Sequence, residues 1–142
     1  MIINHKYKFI FFKSKKVGGT SMEIALSKFT SDSDIVTKIM KDEEEALRDN
    51  LGINNKNASG LVNHSSAADL LKFLEAPQYK DKDIFNSYFK FTIIREPVDL
   101  FISRYFFQKE TSINNPVPDN INDWIKMLKD RRSYGKNNVS EE

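Results

Sequence analysis

The sequence predicts an α/β protein, a parallel sheet flanked by helices in one domain over residues 1–142. Three observations carry this expectation. An aromatic and β-branched run from Tyr7 to Phe12 leads into a glycine turn and then an apolar periodicity of helical spacing. A second such run, Phe89 to Ile94, is broken by Arg95-Glu96-Pro97 and followed by another helical stripe. Strands that alternate with helices in this way assemble as parallel sheets.

The first strand, ending in the continuous apolar run Phe9 to Phe12, suits a position buried on both faces. Met22, Ala25, Leu26 and Phe29 then recur at i, i+3, i+4 and i+7, the stripe of an amphipathic helix. Residues 30–60 are polar, with an acidic helix expected from Asp42 to Gly52 and its run Asp42 to Glu45 facing solvent. Leu61-Val62 reads as a short strand. Ser66, with Asp69 three residues on, resembles a capping box and opens a helix whose stripe is Ala67, Leu70, Leu71 and Leu74. Pro77 ends it. After the second strand, Pro97 suits a helix start, and Val98, Phe101, Ile102 and Tyr105 form its stripe. Asn120 caps a last helix with Ile121, Trp124, Ile125 and Leu128 on one face, Trp124 being read as core. Residues 132–142 read as a polar tail.

Composition excludes several classes. A net charge of +2 is too weak for a general nucleic-acid binder, so any cationic site is local. There is no cysteine, and the two histidines, His5 and His64, lack metal-ligand spacing, so no metal is expected. The N-terminal stretch lacks the apolar run of a signal peptide, and no segment approaches the ~20 apolar residues of a membrane span. The expectation is a soluble, cytoplasmic protein.

The chemistry concentrates in Lys13-Ser14-Lys15-Lys16-Val17-Gly18-Gly19-Thr20-Ser21. A strand, a glycine turn and a helix form an anion site, because free N–H groups and the helix dipole at the N-terminus both favour negative charge. Gly18 and Gly19 let backbone approach a ligand closely, Thr20 and Ser21 add hydroxyl donors, and Lys16 adds a full charge. The bland alternative is a plain turn with surface lysines; Lys13 and Lys15 read either as such solvent-facing residues or as raising the local field for an anion. An ATP or GTP loop needs its lysine after the glycines, whereas Lys16 precedes them. At the end of the second strand Arg95 occupies the position where open α/β sheets bind ligands, and Ser103 follows eight residues later.

Taken together, Lys16-Val17-Gly18-Gly19-Thr20-Ser21 after a strand and Arg95-Glu96-Pro97-Val98 with Ser103 resemble the two nucleotide motifs of sulfotransferases. These enzymes use 3′-phosphoadenosine 5′-phosphosulfate (PAPS). The nearest likeness is to the carbohydrate sulfotransferases, whose loop reads Pro-Lys-Thr-Gly-Gly-Thr-Ser. Asn63-His64-Ser65-Ser66-Ala67 resembles a histidine-containing stretch between the motifs. The resemblance runs from Tyr7 to Phe107. Lys15 stands where the family has proline, and Leu100 where a second basic residue is common.

The resemblance implies a P-loop nucleotide-kinase-like fold, C-terminally shortened, and transfer of a sulfuryl group from PAPS to a hydroxyl, with a carbohydrate as the expected acceptor. It implies Lys16 as the catalytic cation, Gly18, Gly19, Thr20 and Ser21 as the 5′-phosphosulfate cradle, and Arg95 and Ser103 on the 3′-phosphate. His64 is the candidate base, because a neutral imidazole is available near neutral pH. Glu23 is the second choice, against its plainer role of favourable charge near a helix N-terminus. Rival readings are a shortened, non-catalytic module that binds the product nucleotide PAP or a partner, and an atypical P-loop phosphotransfer enzyme. A shortened sheet could be completed by a homodimer.

Overall fold

The computed structural model describes residues 1–80, 83–112 and 116–136, the last six as backbone only. The chain falls into two compact units, Met1–Ile94 and Arg95–Glu142.

The first unit is built on a four-stranded sheet of order β3-β1-β2-β4. Strands β1 (Ile2–Asn4) and β2 (Phe9–Phe12) form a hairpin, with Ile2 opposite Phe11 and Ile3 opposite Ile10. Strand β3 (Ile35–Val36) adds antiparallel to β1, and β4 (Phe89–Thr92) adds parallel to β2. The expected all-parallel sheet is therefore corrected to a mixed one. The physical reason is the four-residue connection from His5 to Lys8, which can only return the chain antiparallel. The expected strand at Leu61-Val62 does not form; these residues run in a turn region, with Leu61 buried and Val62 exposed.

The pleat divides the core into two faces. Ile3, Ile10 and Ile35 point to one, where Leu70 of α3 (Ala67–Leu74) and Ile84 of α4 (Ile84–Ser87) cover them. Ile2, Phe11 and Val36 point to the other, packed by Leu26 of α1 (Gly19–Ser27) and by Phe91 of β4. Phe91 sits beside its parallel partner Phe11, with ring centroids 5.3 Å apart. The capping box forms as expected: Ser66 Oγ accepts from the Asp69 amide at 3.2 Å, and Asp69 Oδ2 accepts from the Ser66 amide at 2.7 Å.

Two helices turn unexpected faces inward. In α1 the buried residues are Gly19, Glu23 and Ser27, while Met22 and Phe29 of the expected apolar stripe are exposed. In α2 (Asp42–Asp49) the buried residues are Glu45 and Arg48, so the acidic run is not wholly a solvent face. Arg48 Nη2 donates to both Glu45 oxygens at 2.7 Å, and its Nη1 donates to the Thr37 carbonyl at 3.1 Å. Burial alone would raise the Glu45 pKa. Hydrogen bonds from the Ile39 amide, Asn55 and Arg48 outweigh it and hold the carboxyl below the ordinary glutamate value. Stability from Glu45 is therefore fully present above the unfolded-state pKa and is lost as pH falls through the depressed folded one. Glu45→Gln should be less stable than the unsubstituted protein at neutral pH, and urea titrations should show that gap closing on acidification.

The second unit contains α5 (Pro97–Thr111) and α6 (Ile121–Lys136). Pro97 occupies the first turn of α5, as expected, and the Glu96 carboxylate caps it by accepting from the Asp99 amide at 2.8 Å. Trp124 is fully buried, as expected for core, against Phe101 and Tyr105 with centroids at 4.8 and 5.4 Å. Its indole N–H donates to Gln108 Oε1 at 3.0 Å. Asn120 Oδ1 accepts from the Asn122 amide at 2.8 Å, the expected cap of α6. Helix α6 runs into the segment expected as a tail, and residues 137–142 lie outside the described residues.

Candidate functional site

The loop between β2 and α1 is held at both ends. At its start, Ser14 Oγ donates to Thr92 Oγ1 at 2.9 Å, and Thr92 in turn donates to the Phe12 carbonyl at 2.7 Å. This ties the carboxyl ends of the parallel pair β2 and β4 together. At its end, Gly19 opens α1 in close contact with the strand exit. A Cβ there would stand 2.8 Å from Lys13 Cγ and 3.1 Å from the Ser14 carbonyl oxygen. Gly19→Ala should therefore displace the loop and cost about 1–3 kcal/mol, read as a lower thermal midpoint.

Between these anchors the backbone turns through the left-handed region twice, at Lys16 (φ 61°) and Gly18 (φ 78°). Gly18 tolerates this without cost, but a lysine does not, and such strain is concentrated where a loop's shape serves a ligand. Helix α1 starts at Gly19 with no side-chain cap and no acidic residue in its first turn. Its leading N–H groups and dipole therefore face the loop without a competing carboxylate. Lys16, Val17 and Thr20 are half-buried and Ser21 is exposed.

Lys13 and Glu23 are placed differently from the sequence expectation. Lys13 is buried rather than solvent-facing, with Nζ donating to Glu23 Oε2 at 2.9 Å. The other Glu23 oxygen accepts from the Met1 ammonium at 2.7 Å and from Thr37 Oγ1 at 3.2 Å. Glu23 is fully buried, and both its oxygens are engaged. Burial lowers the pKa of the Met1 ammonium, and Glu23 opposes that shift. Gly19, Glu23 and Ser27 lie four residues apart and share the buried face of α1. Nothing in the sequence marks that face as the inner one.

His64 arrives from the turn before α3. That turn is pinned by buried Asn63 and Ser65, Ser65 Oγ accepting from the Val62 amide at 2.8 Å. The His64 ring meets the loop's first residue: Nδ1 lies 3.0 Å from the Lys13 carbonyl oxygen. A carbonyl only accepts, so Nδ1 carries the proton and neutral His64 keeps its lone pair on Nε2. The structure thus joins His64 to the loop at the loop's first residue, Lys13. His5 lies elsewhere, with Nδ1 2.9 Å from the Tyr88 hydroxyl.

In the second unit, Arg95 is exposed just ahead of the α5 cap. Ser103 is half-buried on the second turn of α5, about 9 Å along the axis from Pro97. Among the described residues there is no cluster of three or more metal-ligating side chains, and no helix is long and apolar enough to cross a membrane.

A family model described as "Sulfotransferase family" matches residues 1–140. No match is found among the curated proteins or among the solved structures.

Proposed function

The chain belongs to the sulfotransferase family, and from that premise we propose that it moves a sulfuryl group from PAPS to an acceptor hydroxyl, with a carbohydrate as the acceptor class. The observation that carries this reading is the His64 ring on the Lys13 carbonyl, which sets a proton-accepting nitrogen beside a strained, lysine-bearing, uncapped loop. The fit to an anionic donor is chemical. The first turn of α1 holds no acid, and the one buried carboxylate nearby, Glu23, is turned away into its own ion pairs.

In-line sulfuryl transfer asks chiefly for positioning and charge stabilisation. The N–H groups from Gly18 to Ser21, with the Thr20 and Ser21 hydroxyls, would hold the 5′-phosphosulfate. His64 Nε2 would take the acceptor's hydroxyl proton as the new oxygen–sulfur bond forms. Lys16 would neutralise the charge left on the bridging oxygen as the old bond breaks. Glu23 is a poor base here, because both its oxygens are occupied in a site closed to solvent. Arg95 and Ser103 take the 3′-phosphate in this reading, on the strength of their motif, with Arg95 suited to a forked contact.

The test is calorimetric titration of the purified chain with PAP, with ATP and magnesium as the control. The expected result is metal-independent PAP binding, weakened about tenfold or more by Arg95→Ala, the scale of a lost charge-assisted contact. His64→Ala should retain that affinity and lose about 10²–10⁴-fold in turnover, the usual contribution of a general base. A folded chain that binds no PAP would replace the enzyme reading with that of a non-catalytic module.

A further inference from the structure

We infer that Lys13 is a positioning residue for His64, acting through its buried pair with Glu23. The inference rests on the reading of His64 as the base and supplies what that reading lacks, a reason for the imidazole to hold one tautomer. Lys13 contributes two groups. Its carbonyl accepts the His64 Nδ1 proton at 3.0 Å. Its side chain is 3% exposed, with the ammonium on Glu23 at 2.9 Å. Glu23 is itself fixed on the inner face of α1 by the Met1 ammonium and Thr37.

The side chain therefore anchors the residue whose backbone holds the ring. Lys13 has left β2, which ends at Phe12, so no ladder hydrogen bond fixes its carbonyl. The anchoring of the side chain and the adjacent clamp at Ser14 hold the residue that carries that carbonyl. The carbonyl direction in turn decides which imidazole nitrogen carries the proton. Free histidine in water favours the opposite, Nε2-protonated form, in which the outward nitrogen has no lone pair for an acceptor's proton. The buried pair thus keeps the imidazole in its proton-accepting form. This role differs from that of Lys16, whose charge is offered to the ligand.

The test reads the tautomer directly, without nucleotide or turnover. Ring-nitrogen shifts are measured by long-range proton–nitrogen NMR on the labelled full chain at a pH where imidazole is neutral. The chain has two histidines, so His64→Gln assigns the signals. The unsubstituted protein should show His64 mainly Nδ1-protonated. Lys13→Met leaves Glu23 with its Met1 and Thr37 partners, and it should move the tautomer ratio toward Nε2–H by roughly two- to tenfold, the range set by one neutral hydrogen bond. Lys13→Arg keeps a cation for Glu23 and should preserve the Nδ1-protonated form.

Two results overturn the inference: an Nε2-protonated His64 in the unsubstituted protein, or an unchanged ratio in folded Lys13→Met. If Lys13→Met does not fold, Glu23→Asp is read in its place, since a carboxylate shorter by one methylene draws Lys13 inward, and the same two outcomes apply. Because the readout needs no PAPS, it can fail while PAP binding succeeds, and the reverse.

Discussion

Lys16→Ala should reduce sulfuryl transfer by about 10²–10³-fold, the scale on which one preorganised electrostatic group acts at a developing charge. The fold should survive the change. Lys16 is half-buried in the loop between β2 and α1, outside the sheet and helices that carry the core. Its backbone is left-handed at φ 61°, and alanine bears the same conformational penalty there as lysine, so the loop's strain is unchanged by the substitution. Transfer from PAPS and the thermal midpoint are measured side by side. Lost transfer with an unmoved midpoint supports a direct role for the ammonium. A variant that keeps more than about a tenth of the activity would assign the charge stabilisation to the loop N–H groups instead. Lys16→Arg should recover only part of the loss, because a planar fork replaces a compact point charge.

How much of this was legible in the sequence depended on which force shaped each part. The glycine loop, the capping box at Ser66 and the Pro97 helix start are local devices, written in a few adjacent residues, and all three form. Trp124 was legible as core because helical periodicity and size pointed the same way. Strands β1 and β3 were missed because three and two residues are too few to show a period; only pairing with β2 and with each other makes them strands. The inward faces of α1 and α2 were misread for a different reason. Apolar spacing marks the buried face only where burial is apolar. Here Glu23 and Glu45 are drawn inward by cations from distant positions, Lys13 and Met1 for one and Arg48 for the other. The loop and His64 could be nominated from the sequence. The hydrogen bond that joins them spans 51 residues and had no local signal.

Glu23→Leu should destabilise the first unit by about 3–5 kcal/mol. The carboxylate is fully buried, and so are the Met1 ammonium and, to within 3%, the Lys13 side chain. Removing the anion leaves the buried Met1 and Lys13 nitrogens without their shared counter-ion, and the cost of that uncompensated burial sets the magnitude. Loss of an attractive contact alone would cost less. Against a typical total of about 5–15 kcal/mol for a domain, this is enough to lower the urea midpoint severely while leaving the slope near its original value. The double variant Lys13→Met/Glu23→Leu separates the causes. It removes one of the stranded cations, so it should be more stable than Glu23→Leu alone, a non-additivity that marks direct coupling. A Glu23→Leu protein within about 1 kcal/mol of the original would mean that the site is wet and the pair weak. The same result would remove the anchor from Lys13, and with it the reason for His64 to keep its proton on Nδ1.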